Sequence, residues 1–230
     1  CVEIDPEAHA LGHLFPFLNV FHRRFFAELV KFGYAKGFDL LLRAFHQIHD
    51  RYPDWQLTIL GEGSIRSELE DLRSQLQLTD RVHLPGAVQN VQDYLHQADL
   101  FVMSSRVEGF PMALCEAMAC GLPVLAADCL SGPRDIIEDG VNGVLVATED
   151  VDALAAGLDA LMSNPAQRQH LAQNAPQILD RFGLEQVMGM WANEIERVID
   201  RVSKTAYMAT QTRTDLLSIF IKKLNDIFKN

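Results

Sequence analysis

The sequence predicts an α/β fold in which a parallel sheet carries helices on both faces. Short apolar runs alternate with longer amphipathic segments at least five times, and short polar connections join them. Glycines such as Gly61 and Gly86 stand at the ends of apolar runs, where the backbone can approach a ligand closely. Charged candidate residues also follow apolar runs, as expected when a site lies outside the carboxyl ends of parallel strands.

Six short apolar runs are predicted to be strands. The second alternates apolar and polar residues before Gly61-Glu62-Gly63, and the last follows an Asn142-Gly143 turn. Only two glycines follow the second run, so the three-glycine dinucleotide fingerprint is not met and NAD is not predicted. The predicted strands cover residues 27–32, 56–60, 81–84, 100–103, 123–127 and 144–146.

Apolar residues at helical spacing predict that the segments between and after these strands are helices. The first segment, residues 38–49, spaces Leu41, Ala44 and Ile48 at helical intervals. The fourth, residues 111–121, opens on Pro111, whose missing N–H costs nothing there, and ends on Gly121. Further helices are predicted over residues 65–78, 91–97, 150–162, 165–182, 183–199 and 214–228, with a short one opened by Pro133.

The stretch 104–128 holds the residues with the clearest chemistry. The first turn of the helix 111–121 offers free backbone N–H groups near Met112 and Ala113, and such a helix start binds anions. Glu108 and Glu116 flank this turn with seven residues between them. Carboxylates repel phosphate but accept charge-assisted hydrogen bonds from hydroxyl groups. A nucleotide sugar, which carries both phosphate and hydroxyl groups, fits this layout.

The run Glu-Gly-Phe-Pro-x4-Glu-Ala-Met-Ala-Cys-Gly-x-Pro-Val resembles the E-x7-E motif of retaining glycosyltransferases with the GT-B fold, which has two Rossmann-like domains. The resemblance is strongest to the large bacterial family 4 type. It implies that Glu108 is catalytic and holds donor-sugar hydroxyls, and that Glu116 takes the ribose hydroxyls. The backbone of Gly109, Phe110 and Pro111 would lie beside the sugar and phosphates. The alternative is a helix start with one ordinary solvated glutamate.

A second run, Lys-Gly-Phe-Asp-Leu-Leu from Lys36 onward, also resembles this family. It implies that Lys36 contacts the donor diphosphate during catalysis, and a lysine ammonium can do so as a point charge. Family members carry a Gly-Arg pair shortly before this run, and here Val30 and Lys31 stand in its place. Lys31 keeps the charge but lacks the bidentate fork of arginine. The alternative for Lys36 is an ordinary solvated loop lysine.

Three more candidates follow from the same resemblance. The Ser-Gly-Pro-Arg segment implies that Arg134 is a cation near the donor, and the alternative is an arginine paired with Asp135 or Glu138. Gly86 would lie near the nucleotide base, and Gly61 would let the backbone approach the ligand. No aspartate-rich metal site is evident, so we expect protein cations to stabilise the diphosphate, with neither a metal nor another cofactor.

Composition limits the class of protein. The net charge of −11 over 230 residues argues against a nucleic-acid partner. A membrane span needs about 20 apolar residues, and no apolar stretch of the sequence approaches that length. No leader pattern opens the chain. The four cysteines show no paired spacing, which favours a reduced cytoplasm. The basic amphipathic pattern of residues 214–228 allows contact with the inner membrane face, and docking on the domain is the alternative.

The chain divides into three predicted segments. Residues 1–26 are an atypical N-terminal segment, in which His9 and His13 have a metal-ligand spacing but a surface segment is the favoured interpretation. Residues 27–202 are the nucleotide-sugar (donor) binding Rossmann-like domain, and residues 203–230 are a linker and an amphipathic C-terminal helix. The resemblance covers only one half of a GT-B fold. Three explanations therefore stay open. The chain is a donor module that pairs with a separate acceptor-domain subunit, a truncated product, or a fragment of a longer chain.

These observations predict a glycosyltransferase. We expect it to move a hexose or N-acetylhexosamine from a UDP-linked donor to a glycan or lipid-linked acceptor with retention. Such a reaction fits the cell-envelope polysaccharides that the bacterial family builds. The alternative is a non-catalytic nucleotide-sugar-binding or assembly module, which the Val30-Lys31 pair and the single recognisable domain favour.

Overall fold

The structure is a computed structural model that describes the backbone of residues 23–227. The surroundings of side chains are described for residues 33–204, 211 and 218. The predictions for residues 1–22, including the suggested metal spacing of His9 and His13, lie outside the described residues. Within the described part, every helix is too short or too polar to cross a membrane.

All six predicted strands are present in the described residues. They are β1 (Arg23–Phe32), β2 (Trp55–Gly63), β3 (Val82–Gly86), β4 (Leu100–Met103), β5 (Val124–Ala127) and β6 (Val144–Val146). All neighbours are parallel, and the order across the sheet is β3-β2-β1-β4-β5-β6. β1 begins earlier than predicted, and β2 continues through Gly63, because the two strands pair from Arg23 opposite Trp55 to Phe32 opposite Gly63.

Helices cover both faces of this sheet, which confirms the predicted fold class. They are α1 (Phe38–Ile48), α2 (Arg66–Gln75), α3 (Val91–His96), α4 (Met112–Ala119), α5 (Pro133–Ile136), α6 (Val151–Ser163), α7 (Pro165–Asn174), α8 (Ile178–Phe182) and α9 (Leu184–Ile227). Buried apolar side chains from α1, α6 and the central strands form the core, among them Phe38, Phe45, Leu57 and Leu158. Each such buried side chain contributes about 1.5–3 kcal/mol to folding.

The order of the strands creates one switch point. β1 lies between β2 and β4, so the connections that leave β1 and β4 diverge. In open α/β sheets, ligands bind in the crevice outside the carboxyl ends of the strands at such a point. The loop 33–37 follows β1 and the loop 104–111 follows β4. These two loops therefore frame the place where a ligand is expected.

The predicted helix 165–182 is interrupted. α7 ends at Asn174, and a 3-10 turn over Ala175–Gln177 separates it from α8. Pro176 lies in this turn. Because proline lacks an N–H and its ring collides with the preceding helical turn, the regular helix cannot continue through it.

The C-terminal region also differs from the prediction. α9 is one helix of 44 residues, where the sequence predicts an end at residue 199 and a linker from residue 203. The polar stretch 203–213 contains no glycine or proline, and it includes the good helix formers Lys, Ala, Met, Gln and Arg, so nothing breaks the helix. The predicted boundary after residue 202 therefore falls inside α9.

The chain divides into two compact units, and the boundary falls between Ile178 and Leu179 in the sequence. The first contains the sheet, and the second contains α9. Within the second unit, large apolar side chains along the first half of α9 are exposed. They include Leu184, Met188, Trp191, Ile195, Val198 and Val202. An exposed apolar stripe of this kind commonly marks a surface for interaction.

Candidate functional site

Lys36 and Glu108 form an ion pair at the switch point. Lys36 follows β1 and Glu108 follows β4, so the pair joins the two loops that frame the crevice. The Lys36 Nζ lies 2.6 Å from Glu108 Oε1, and the two side chains are only 15% and 9% exposed. The alternative of a solvated loop lysine is therefore wrong. Because water is partly excluded, the two charges interact more strongly than a pair on an open surface.

Two serines fix the orientation of Glu108. The Ser105 hydroxyl donates a hydrogen bond to the same Glu108 Oε1 at 2.7 Å. The Ser131 hydroxyl donates to the Glu108 backbone carbonyl at 2.6 Å. The carboxylate of Glu108 is thus held from within its own loop and its backbone from the loop after β5, which limits the rotamers it can adopt.

The loop that carries Lys36 packs closely on the loop after β4. The Ser104 hydroxyl donates to the Lys36 carbonyl at 3.0 Å. Gly37 has a φ of +64°, and a Cβ at this position would lie 2.1 Å from the Ser104 carbonyl oxygen. Only glycine accommodates both the left-handed backbone and the close approach. Gly37 therefore allows the two loops to meet.

We expect Gly37→Ala to lower the free energy of unfolding by about 2–5 kcal/mol. The left-handed conformation costs an L-residue about 1–2 kcal/mol, and overpacking costs about 1–3 kcal/mol. Urea unfolding would measure the loss. Gly140→Ala is the matched control, because Gly140 has a similar φ of +76° with no described atom within 4 Å of its Cβ position. Equal losses from the two variants would show that the contact with Ser104 is unimportant.

The helix after Glu108 presents its first amides without a side-chain cap. α4 begins at Met112, and Pro111 is its N-cap. The sequence predicts Pro111 as the first helical residue instead. Proline has no side-chain acceptor, so it cannot bond the N–H groups of Met112 and Ala113. A helix start with open amides and the positive end of the helix dipole favours an anion.

The other end of α4 closes as predicted. Gly121 has a φ of +74° and lies just past the helix. Its N–H donates to the Met118 carbonyl at 2.9 Å, and the Leu122 N–H donates to the Ala117 carbonyl at 3.1 Å. These two bonds form a Schellman motif, which satisfies the carbonyls of the last turn.

Glu116 lies on α4 and lines a cavity of about 420 Å³. The cavity is also lined by Gln89, Asn90 and Val91 from the connection that follows β3. Glu108, which precedes α4, is not among the lining residues, so the two acids do not share this cavity. Glu116 thus shares this cavity with the connection after β3.

The cysteines around the two acids have raised pKa values. Burial, and then the charge of Glu116, raise the pKa of Cys115 to about 11. The same two causes raise the pKa of Cys120. Burial, and then the charge of Glu108, raise the pKa of Cys129, whose thiol donates to the Ser105 carbonyl at 2.8 Å. Because only the thiolate is a good nucleophile, these side chains serve packing at neutral pH.

The connection after β5 packs on the Glu108 loop. Gly132 has a φ of +87°, and a Cβ there would lie 2.7 Å from the Gly109 carbonyl oxygen. Arg134 bonds Asp128 in a bidentate pair, with Nε–Oδ1 and Nη2–Oδ2 distances of 2.8 and 2.9 Å. The predicted alternative, in which Arg134 pairs with Asp135 or Glu138, is therefore wrong. Asp128 offers both of its carboxylate oxygens to the guanidinium fork. The Arg134 side chain is still 46% exposed.

The remaining candidates lie along β1, β2 and β3. Lys31 is in backbone register with Glu62, and Val30 with Gly61, while the side chains of β1 are outside the described ones. Gly86 ends β3 with a φ of +90°, and a Cβ there would lie 2.7 Å from Glu62 Oε1. No described contact joins Gly61 or Gly86 to the ion pair after β1 and β4.

Sequence reasoning missed Arg106. Its side chain is only 7% exposed and bonds both carboxylate oxygens of Asp39, at 2.8 and 2.7 Å. Burial acts to raise the pKa of Asp39, but the bonds and charge of Arg106 outweigh it, so this pKa lies below its usual value. The available signal was that both residues stand beside candidates, Asp39 near Lys36 and Arg106 near Glu108. Nothing in their spacing showed that they meet.

A family model described as "Glycosyl transferases group 1" matches residues 22–178. Among curated relatives, the chain is 35% identical over 133 residues to a lipopolysaccharide 1,6-galactosyltransferase of Salmonella typhimurium. That match covers 56% of this chain and 36% of the relative. The chain spans 44%, 19% and 38% of the length of three other curated relatives, so it corresponds to less than half of these proteins.

Solved structures match the same region. The C-terminal domain of a glycosyl transferase group 1 family protein from Francisella tularensis superposes with a TM-score of 0.64 at 26% identity, covering 70% of this chain and 85% of that one. TarM of S. aureus, in a complex that contains UDP, gives 0.70 at 25% identity, covering 75% and 35%. The chain therefore belongs to the group 1 glycosyl transferases, and its sheet domain is the C-terminal, Rossmann-like half of a GT-B glycosyltransferase.

Proposed function

We propose that the sheet domain binds a nucleoside diphosphate sugar, namely a UDP-hexose or UDP-N-acetylhexosamine. We further propose transfer of the sugar, with retention, to a glycan or lipid-linked acceptor. The observation that carries the proposal is the 2.6 Å Lys36–Glu108 pair at the switch point of the sheet, beside the uncapped start of α4. This arrangement offers a cation and amides to phosphate, and a carboxylate to hydroxyl groups.

The proposed catalysis is mainly electrostatic. Negative charge develops on the departing diphosphate as the bond to the sugar breaks. Lys36 and the amides of Met112 and Ala113 stabilise this charge, and a preorganised donor of this kind contributes about 10²–10³ in rate. Glu108 orients the sugar through its hydroxyls. These protein groups take the place of a metal, so treatment with EDTA should leave UDP affinity unchanged.

The relatives support a nucleotide-sugar donor. The matched TarM structure contains UDP, and the Salmonella relative is named a lipopolysaccharide galactosyltransferase. A UDP-linked hexose donor and an envelope glycan acceptor are the corresponding choices for this chain. The cytoplasm, or its face of the inner membrane, is the compartment where we propose that the reaction takes place.

The nucleoside is proposed to bind at Glu116, with the ribose hydroxyls on its carboxylate. Replacing Glu116 with alanine should weaken UDP binding about 10- to 100-fold, because a hydrogen bond to a charged group contributes about 1.5–3 kcal/mol. Calorimetric titration measures the affinity. Glu138→Ala, which changes an exposed acid outside this cavity, is the matched control.

A second nucleotide isolates the ribose. The 2′,3′-dideoxy analogue of UDP lacks the hydroxyls, so its affinity should be the same with Glu116 and with alanine at this position. If Glu116→Ala weakens both nucleotides equally, the carboxylate does not bind the ribose. If the unaltered protein binds neither UDP nor GDP at millimolar concentration, the donor-binding proposal fails.

A non-catalytic binding or assembly module is the second candidate, and the sequence feature that favours it is the Val30-Lys31 pair. Such a module would bind UDP without releasing sugar to any acceptor. In either case, we propose that an acceptor-binding domain or subunit docks against the protein, and the exposed apolar stripe along α9 is a suitable surface for it. Sugar transfer measured with that partner present separates the two candidates.

A further inference from the structure

Arg106 holds the short turn that precedes the Lys36 side chain. One guanidinium nitrogen donates to the Tyr34 carbonyl at 2.8 Å, and the guanidinium lies over the Tyr34 ring at 4.0 Å from its centre. The Arg106 backbone N–H donates to the Ala35 carbonyl at 2.7 Å. The bidentate pair with Asp39 adds a contact on the far side of the turn. Tyr34, before Lys36, and Asp39, after it, are thus bonded to the Arg106 side chain, and Ala35 is bonded to the Arg106 backbone.

Hydrophobic packing does not orient this turn. Tyr34 is 69% exposed, and Ala35 is exposed as well. A surface turn with so little burial is usually mobile, because few contacts offset its conformational entropy. The polar contacts of Arg106, together with the Ser104 bond to the Lys36 carbonyl, therefore hold the turn in place.

The guanidinium is costly to bury for stability alone. Its Nε makes no hydrogen bond within the described structure, although Glu149 Oε2 lies 3.4 Å away. A buried charge with an unsatisfied donor is often no better for stability than an apolar group of similar size. The bidentate and stacked geometry, in contrast, gives directional control that an apolar side chain lacks.

We propose that Arg106 is a positioning residue that aims the Lys36 ammonium at the donor diphosphate. The inference rests on the proposed function of the Lys36–Glu108 site. Arg106 stands two residues before Glu108 in the same loop, so one loop supplies both the ionic partner of Lys36 and the support of its backbone. A displacement of about 1 Å at such a site can cost up to 10²-fold in activity.

The test compares UDP with uridine, which lacks phosphate. We expect Arg106→Gln to lower UDP affinity about tenfold and to leave uridine affinity unchanged, because only the phosphates meet Lys36. Arg106→Lys should lower UDP affinity nearly as much, since lysine has neither the bidentate fork nor a planar group that stacks on the Tyr34 ring. Arg51→Gln, which breaks an exposed ion pair with Asp159, should change neither affinity.

A double-mutant cycle tests the route through Lys36. In protein that already carries Lys36→Met, adding Arg106→Gln should not weaken UDP binding further. The milder Asp39→Asn, which removes only the charge of the partner, gives the same comparison if Arg106→Gln does not fold. An equal loss of UDP and uridine affinity, or the same loss with and without Lys36, would overturn the inference.

The outcomes also separate this inference from the proposed function. If Lys36→Met weakens UDP binding and both Arg106→Gln and Asp39→Asn leave it unchanged, the proposed function stands and the positioning role is wrong. If the unaltered protein does not bind UDP, the proposed function fails and the positioning role fails with it.

Discussion

Replacing Lys36 with methionine is expected to lower UDP affinity about 10- to 100-fold. Methionine keeps much of the volume of the lysine stem but removes the ammonium group, and a hydrogen bond from a charged donor contributes about 1.5–3 kcal/mol. The Lys36 side chain is 15% exposed, so bulk water cannot fully replace it as a phosphate partner. Calorimetric titration with UDP measures the loss, and uridine affinity should not change.

The variant leaves the carboxylate of Glu108 without its cation. Because the Glu108 side chain is only 9% exposed, this uncompensated charge lowers the stability of the protein. The double variant Lys36→Met with Glu108→Gln removes both charges and serves as the control. We expect the double variant to bind UDP about fivefold more tightly than Lys36→Met, because the like charge of Glu108 is also removed, and still more weakly than the unaltered protein. Binding as tight as that of the unaltered protein would contradict a phosphate-binding role for Lys36.

Glu108→Gln should affect turnover and nucleotide affinity in opposite directions. Release of sugar from UDP-sugar should fall about 10²–10³-fold, because the amide does not reproduce the charge that orients and stabilises the sugar. UDP affinity should rise about fivefold, since a like charge about 4 Å from phosphate costs about 1 kcal/mol even in water. The loss of the ionic partner also leaves Lys36 available to the diphosphate.

Two assays check this prediction. One measures UDP release from the UDP-sugar with acceptor and acceptor-binding partner present, and the other measures UDP affinity by calorimetry. Glu138→Gln, which changes an exposed acid outside the ion pair, is the control and should affect neither quantity. Weaker UDP binding with unchanged turnover would assign Glu108 to nucleotide binding and not to the sugar.

The sheet was predictable because its signals are local. Apolar runs of strand length, separated by amphipathic segments, identify each strand without knowledge of its neighbours. The same is true of α4, where Pro111 and Gly121 mark the two ends of the helix. Ligands bind at the carboxyl ends of parallel strands. Lys36 and Glu108 follow β1 and β4, so they meet at this edge once the two strands are found to be neighbours.

The features that were not predicted depend on contacts distant in sequence or on an absence of signal. Arg106 and Asp39 are 67 positions apart, and no spacing rule indicates that a loop arginine bonds an acid of another loop. Arg134 pairs with Asp128 because the turn through Gly132 brings the two side chains together. Proximity in the sequence suggested Asp135 instead. α9 was divided wrongly, because a polar stretch was taken for a linker although it lacks helix-breaking residues.

The most direct measurement is a crystal structure of the protein with UDP bound. We expect the Lys36 Nζ to lie about 2.7–3.2 Å from a phosphate oxygen, with the diphosphate at the start of α4 and the ribose at Glu116. In that complex the Lys36 ammonium should bond phosphate in place of Glu108, its partner at 2.6 Å. UDP bound elsewhere, with the Lys36–Glu108 pair intact, would contradict the account.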